Sequence, residues 1–275
     1  MERKDPFSPT INSLPDELLL KIIQNTAYER AGYFGQKRLV NHLYLIDVIS
    51  KISKRFKNIA GDNVLWNDEA TISLDEKVDR TMKRVVDCMG KNIQKIKLYD
   101  PQKFMDSHMT SSDVSISSED ITALAKKATS LTRLELCGLK LVSWPVLWST
   151  WSLEDLVLRD VTMPWDMFQN VAIHRYLPNL ITIKMIRCID ARGISIMLPD
   201  MSACQQLEEV RITGSDNGDG YRFPTNLSER VPFPRGIKKL EVLNVVFEGI
   251  SSDDFDQKVK VPIQKFACKC KVECF

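Results

Sequence analysis

Apolar residues recur from Ile93 onward with one spacing: an apolar residue is followed by others three and five positions later. The last two members flank one, usually polar, position, as in Leu134-Glu135-Leu136, so both point to the same face of a short strand. Most triplets begin roughly 20 to 30 residues apart, which lets the chain cross back and add a parallel strand. The pattern predicts an α/β fold with a parallel sheet of about six to seven short strands. Six clear triplets and a weaker seventh carry it: Ile93, Ile96, Leu98; Leu131, Leu134, Leu136; Leu153, Leu156, Leu158; Leu180, Ile183, Met185; Leu207, Val210, Ile212; Ile237, Leu240, Val242; and Ile263, Phe266, Cys268.

The N-terminal part follows a helical period instead. Ser13-Leu14-Pro15-Asp16-Glu17 is typical of a helix N-terminus, because proline tolerates the first turn and acidic residues meet the positive end of the helix dipole. Leu18, Leu19, Ile22 and Ile23 then form an apolar stripe. A second helix is predicted from about residue 39 to 60. Since so small a helical unit buries little, apolar surface left after self-packing would indicate a partner site.

The same part resembles the F-box in three elements: LPDELLLKII at 14–23, ISKRFKNIA at 52–60, and Leu65-Trp66. It departs from the F-box by about a dozen extra residues, near 27–38, between the first and second helices, which predict an inserted loop. The resemblance implies that this segment binds the small adaptor subunit of a cullin–RING (SCF-type) ubiquitin ligase and, through it, the cullin. The adaptor-binding residues that it implies are Leu14, Pro15, Leu18, Leu19, Ile22, Ile23, Ile52, Phe56, Leu65 and Trp66.

The triplet array resembles the leucine-rich repeats that follow many F-boxes. The resemblance implies a solenoid whose strands hold a substrate protein. The asparagine or cysteine expected eight positions after each start occurs only as Cys188. The sixth repeat is ambiguous, because Leu240, Leu243 and Val245 fit the same template three residues later.

These observations divide the chain into segments. They predict a disordered N-terminus at 1–10, an F-box helical module at 11–68, a helical linker or cap at 69–92, and a leucine-rich-repeat domain at 93–275. Within that domain, 100–118 and 213–235 lack periodicity and are predicted to be loops, either of which could touch a partner. A serine cap with early acidic residues predicts a crossover helix at about 117–127.

Composition and charge argue against several classes of function. The net charge of +2 lacks the strongly basic footprint of a nucleic-acid-binding protein. The first ten residues lack the apolar run of a signal peptide, and no stretch approaches the roughly 18 apolar residues of a membrane span. A cytoplasmic or nuclear protein without nucleic-acid or membrane partners is therefore predicted. The seven cysteines are odd in number and scattered, which argues against a disulfide framework.

No motif indicates a cofactor or a metal site. Cys268, Cys270 and Cys274 have no fourth ligand nearby, so packed or free thiols are favoured over zinc. The tryptophans at 144, 148, 151 and 165 are either a partner surface or filling of the convex side, and filling is favoured.

The sequence thus predicts a non-catalytic substrate-recognition subunit of a ubiquitin ligase, with an unidentified substrate. One alternative is a leucine-rich-repeat scaffold outside any ligase. Another is a hydrolase built on the repeats. None of His42, His108 and His174 lies beside a plausible nucleophile in the sequence, which argues against it, but catalytic triads are spatial and need no local motif.

Overall fold

The computed structural model describes residues 13–29, 51–60, 69–74, 82–83, 93–105, 114–143, 152–164, 173–190, 196–214, 221–222, 233–234, 236–243, 245, 257, 260–264 and 267–272. The helices are α1 (Asp16–Glu29), α2 (Lys54–Ala60), α3 (Pro101–Met105), α4 (Ser118–Lys127), α5 (Ile173–Tyr176) and α6 (Val261–Gln264). The strands are β1 (Glu69–Ser73), β2 (Lys95–Tyr99), β3 (Ser115–Ile116), β4 (Arg133–Cys137), β5 (Lys140–Leu141), β6 (Asp155–Arg159), β7 (Thr182–Ile186), β8 (Ile196–Met197), β9 (Glu209–Thr213), β10 (Tyr221–Arg222), β11 (Ile237–Leu243) and β12 (Ala267–Val272).

Eight of these strands form one sheet in the order β1-β2-β4-β6-β7-β9-β11-β12. Every neighbouring pair is parallel, and each strand joins the edge left by the one before it in the chain. The predicted class, α/β with a parallel sheet, is confirmed. The sheet is one strand larger than the predicted upper count.

Two rows of apolar side chains run across the sheet and build the core. Because the strands pair without offset, the same triplet position falls in the same row in every strand. All members are fully buried, so each strand adds one layer to a continuous core. The first inner row is Ile96, Leu134, Leu156, Ile183, Val210 and Leu240. The second inner row is Leu98, Leu136, Leu158, Met185, Ile212 and Val242.

The sixth repeat takes the earlier of its two possible registers. Leu240 pairs with Val210 and Val242 with Ile212, and Ile237 is fully buried. Leu243 instead pairs with Thr213 and is only half-buried. All six clear triplets therefore occupy the core.

The structure corrects the two ends of the predicted array. Segment 69–92 was expected to be a helical linker, yet β1 is extended and pairs with β2, while Met82 and Lys83 are helical. At the other end, Cys270 pairs with Leu240 and Ala267 with Ile237. The seventh triplet is therefore Ala267, Cys270 and Val272, four residues later than the predicted Ile263, Phe266 and Cys268.

A second, shorter ladder follows the main strands. β3 pairs in parallel with β5, and isolated parallel bridges continue from Lys140 to Thr162 and from Thr162 to Ile189. The position where the leucine-rich pattern expects asparagine or cysteine is buried in four repeats: Cys188 fits the pattern, and Leu139, Val161 and Val245 are apolar replacements. The Cys188 thiol lies 3.5 Å from the Leu158 carbonyl oxygen, to which it donates a weak hydrogen bond.

The two predicted loops contain regular structure. Segment 100–118 includes α3 and β3, and segment 213–235 includes β10, which pairs with β8. The predicted crossover helix is present as α4. Ser117 accepts a hydrogen bond from the Asp120 amide, and the Asp120 carboxylate accepts one from the Ser117 amide, a reciprocal cap. α4 buries Ile121, Leu124 and Ala125 against the core.

The N-terminal helices differ in extent from the prediction. α1 continues to Glu29, so the start of the expected insertion at 27–38 is helical, and the rest of it lies outside the described residues. The predicted helix over 39–60 is not continuous, because 51–53 form a turn and α2 begins only at Lys54. Ser53 starts α2 by accepting a hydrogen bond from the Phe56 amide at 3.2 Å.

Gly138 follows β4 in the left-handed conformation, with φ +64°, and its amide donates to the Arg159 carbonyl at 2.9 Å. A Cβ at this position would lie 2.8 Å from the Lys103 Cβ of α3. Gly138→Ala should therefore lower the free energy of unfolding by about 1.5 kcal/mol, from the left-handed backbone and the contact together. The measurement is the urea midpoint.

Gly236→Ala is the matched control, since its φ is +87° but nothing lies within 4 Å of its Cβ position. It should lose about 1 kcal/mol or less, from the backbone alone. Equal losses at both glycines would show that α3 yields freely to the added methyl group.

Candidate functional site

Three of the large apolar side chains implied in adaptor binding are exposed. Leu18 is 46% exposed, Ile22 is 43% exposed and Ile52 is 55% exposed. Leu18 and Ile22 are four residues apart on α1, so they share one face of the helix. In the described part of the chain, the other exposed large apolar side chains are Val142 and Val261. Exposed apolar surface is therefore concentrated in the N-terminal helices. We call Leu18, Ile22 and Ile52 the apolar N-terminal surface.

Other residues of the implied set are structural. Leu19 is fully buried, and Phe56 is 3% exposed on α2, which contacts α1. Leu14 is half-buried and Pro15 is exposed at the start of α1, where the Pro15 carbonyl accepts from the amides of Leu18 and Leu19. Leu19 and Phe56 therefore stabilise the helices and are not available to a partner.

Three residues of that set are not placed. Ile23 lies on α1, but its side chain is outside the described part of the structure. Leu65 and Trp66 lie outside the described residues altogether. Their roles remain those that the resemblance implies.

An arginine that the sequence analysis did not single out joins the two helices. The Arg55 Nε donates to the Asp16 carboxylate at 2.8 Å, and its Nη2 donates to the same carboxylate and to the Leu14 carbonyl. Arg55 thereby holds the start of α1 against α2. The pair spans 39 positions, so no local pattern reveals it.

The sheet offers a second candidate surface on the side away from the core. Its residues alternate along each strand with those of the two inner rows, as Lys97, Glu135 and Glu241 do, and we call this side the far face. Glu135 lies there with only 6% of its side chain exposed. The Lys97 ammonium is 2.8 Å from Glu135 Oε1, an Arg133 guanidinium nitrogen is 3.3 Å from Oε2, and the Cys137 thiol donates at 3.2 Å.

These contacts decide the ionisation of Glu135. Burial raises the pKa of the carboxyl, but the hydrogen bond and charge of Lys97, with hydrogen bonds from Cys137 and Arg133, outweigh it. The pKa of Glu135 is therefore below its ordinary value, and the carboxylate is charged at neutral pH.

A second ionic network occupies the far face of the later strands. Glu209 Oε1 lies 3.4 Å from both the Lys184 and the Lys239 ammonium groups. Glu241 lies 3.1 Å from Lys239 and 3.5 Å from Arg211. The hydrogen bond to Glu241, with the charges of Glu209 and Glu241, raises the pKa of Lys239. The pairs of Glu209 with Lys184 and Lys239, and of Glu241 with Arg211, join neighbouring strands, so the sheet register creates them, whereas Lys239 and Glu241 lie on the same strand.

The buried thiols of Cys137 and Cys204 are poorly reactive. Burial, with the negative charge of Glu135, raises the pKa of Cys137 far above the ordinary thiol range. Burial, with Asp200, raises the pKa of Cys204 to about 11. Both stay protonated at neutral pH and are therefore poor nucleophiles.

The metal, tryptophan and histidine candidates are placed only in part. Within the described ranges, no group of three or more His, Cys, Asp or Glu residues could hold a metal ion. Cys270, rather than the predicted Cys268, takes the register position beside Leu240, and Cys274 lies outside those ranges. His174 lies half-buried on α5. His42, His108 and the tryptophans at 144, 148, 151 and 165 lie outside the described residues.

In the part of the chain that the structure describes, no helix combines the length and the apolar character needed to cross a membrane. Comparison of the chain with protein-family models gives no match, and a search of curated proteins gives none either.

Proposed function

We propose that this protein is the substrate-recognition subunit of an SCF-type cullin–RING ubiquitin ligase, acting in the cytoplasm or nucleus. Its N-terminal helices are the F-box that docks on the ligase adaptor, and the stacked strands are a leucine-rich-repeat solenoid that holds a substrate protein. The observation that carries the proposal is the apolar N-terminal surface, Leu18, Ile22 and Ile52, all more than 40% exposed. Apolar side chains exposed on a small helical unit favour a protein interface.

In this proposal, the exposed and the buried residues of the F-box have different roles. Leu18, Ile22 and Ile52 would contact the adaptor, whereas Leu19 and Phe56 support the helices from inside. Arg55 and Asp16 would fix the angle at which α1 is presented. In this proposal the chain supplies no catalytic group. It raises the effective concentration of substrate lysines near the ubiquitin-loaded conjugating enzyme.

The direct test is capture of the full chain by the purified ligase adaptor. The double variant Leu18→Asp/Ile22→Asp should bind about thirtyfold more weakly than the wild type, because two partly exposed apolar side chains lose their burial and carboxylates must be desolvated. Circular dichroism and a melting curve show whether the variant is folded. Both positions are already partly in water, so the fold should tolerate the change.

Val142→Asp/Val261→Asp is the matched control. These two side chains are also exposed, 53% and 43%, but lie in the stacked-strand part of the chain. The control should bind the adaptor as the wild type does. Failure of the folded wild type to bind, or equal loss in both variants, would remove the ligase proposal. A leucine-rich-repeat scaffold outside any ligase would then be the better interpretation.

A further inference from the structure

The far face of the sheet is richer in cations than the chain as a whole. Because side chains alternate along a strand, its residues point away from the two inner rows. Among the described far-face side chains, lysine and arginine outnumber aspartate and glutamate seven to four. They are Lys95, Lys97, Arg133, Arg159, Lys184, Arg211 and Lys239 against Glu135, Asp155, Glu209 and Glu241.

Most of the negative charge on this face is already neutralised within the sheet. Glu135, Glu209 and Glu241 each lie within 3.5 Å of two cationic side chains. Three of the four far-face carboxylates therefore have little capacity left to attract a basic partner. An incoming group meets mainly hydrogen-bond donors.

Some of those donors form no hydrogen bond. The buried Nε of Arg133 donates none, and the buried Nε of Arg211 lies 3.5 Å from Glu241 Oε2 in an ion pair but does not form a hydrogen bond. The Arg159 guanidinium makes no ion pair or hydrogen bond to any residue that the structure describes. The half-exposed Arg159 guanidinium can be reached from outside, so an external acceptor that hydrogen-bonds to it would bind favourably.

Arg159 lies at the middle of the face, between the two ionic networks. Its register neighbours are Cys137 on β4 and Ile186 on β7. Cys137 and Val157 are both 3% exposed, and Ile186 is half-buried. A half-exposed arginine between weakly polar neighbours competes with less water than one on an open surface, which strengthens a charged hydrogen bond.

We infer that the far face, centred on Arg159, binds an acidic segment of a partner protein, with a carboxylate of that segment paired to the Arg159 guanidinium. Charge complementarity favours this occupant over a basic one, which would meet unpaired cations and neutralised carboxylates. A nucleic acid fits less well, because the cations are interleaved with carboxylates and form no continuous basic stripe. The inference rests on the part of the proposed function that makes the stacked strands a partner surface, and it needs no ligase.

The experiment is selection of a displayed random peptide library on the immobilised full chain at physiological ionic strength. The enriched peptides should be net acidic, and their synthetic versions should bind more weakly as salt is raised. In fluorescence anisotropy, Arg159→Gln should weaken binding of those peptides about tenfold, because a charge-assisted hydrogen bond is lost. Arg159→Glu should weaken it further.

Lys126→Glu makes the same change in net charge as Arg159→Glu, but on the exposed surface of α4. It should leave peptide affinity unchanged. Enrichment of neutral or basic peptides, no enrichment at all, equal weakening by Lys126→Glu, or displacement by a single-stranded oligonucleotide would each overturn the inference. Arg159→Glu should still be captured by the ligase adaptor, and Leu18→Asp/Ile22→Asp should still bind the peptides, so failure of either proposal is visible separately.

Discussion

Replacing Leu158 by alanine is expected to lower the free energy of unfolding by about 3 kcal/mol. Leu158 is fully buried in the second inner row, with Leu136 on one side and Met185 on the other. Alanine would leave a cavity between two neighbouring strands, and the rigid register would limit how far they could close it. The measurement is the urea midpoint, followed by circular dichroism.

Two controls separate cavity formation from other effects. Leu158→Met keeps nearly the same volume, and methionine already occupies the next position of the row at Met185, so it should lose less than about 1.5 kcal/mol. Leu18→Ala makes the same chemical change at an exposed site and should stay within about 0.5 kcal/mol of the wild type. A loss below about 1 kcal/mol for Leu158→Ala would mean that the row is not closely packed.

The central strands could be predicted because the same requirement, burial of apolar side chains, repeats in each of them. Each strand must bury its inner side chains against its neighbours, and only apolar residues satisfy this at three positions in every repeat. That requirement fixed all six clear triplets, and in the sixth the register from β9 selected Leu240 and Val242 over the later alternative.

The ends of the array could not be predicted because the requirement weakens there. In β1 the first inner row is filled by Ala70, a small residue, so the strand does not stand out from its surroundings. In β12 the inner register positions fall on Ala267, Cys270 and Val272, while a better apolar match lies four residues earlier. Pairing with β11, rather than side-chain hydrophobicity, determines the last register.

In the candidate sites, too, the sequence pattern predicts some features, and others follow only from the three-dimensional structure. Leu18 and Leu19 are adjacent and chemically identical, yet one is 46% exposed and the other fully buried. Helical periodicity places both in one stripe, and only the three-dimensional packing shows which of them is buried. The far-face networks are still less visible, because Lys97 and Glu135 are 38 positions apart and meet only through the strand register.

The two faces of the sheet therefore have different roles. The inner rows supply the buried apolar core and tolerate little variation in volume. The far face carries charges whose pairing depends on the register that the inner rows impose. The same strand pairing therefore positions the inner rows and the ion pairs on the opposite side, so stability and surface electrostatics are linked through it.

Replacing Glu135 by glutamine is expected to lower the free energy of unfolding by about 2 to 3 kcal/mol at neutral pH. The variant keeps the size of the side chain but leaves Lys97, whose side chain is 14% exposed, and Arg133 without their anionic partner. Partial exposure of the two cations keeps the loss below that of a wholly buried pair. Chemical unfolding in urea at neutral pH measures it.

The difference between wild type and Glu135→Gln should depend on pH. The pKa of Glu135 is lower in the folded protein than its ordinary 4.5, so the charged carboxylate stabilises the fold fully above 4.5. As the pH falls through the folded-state pKa, the carboxylate is protonated and the difference should disappear. Glu208→Gln is the control: its pair with Lys238 is exposed on both sides, and its removal should change stability by less than about 1 kcal/mol at any pH. If the difference in stability between wild type and Glu135→Gln persists in acid, the loss comes from altered packing and not from the lost charge.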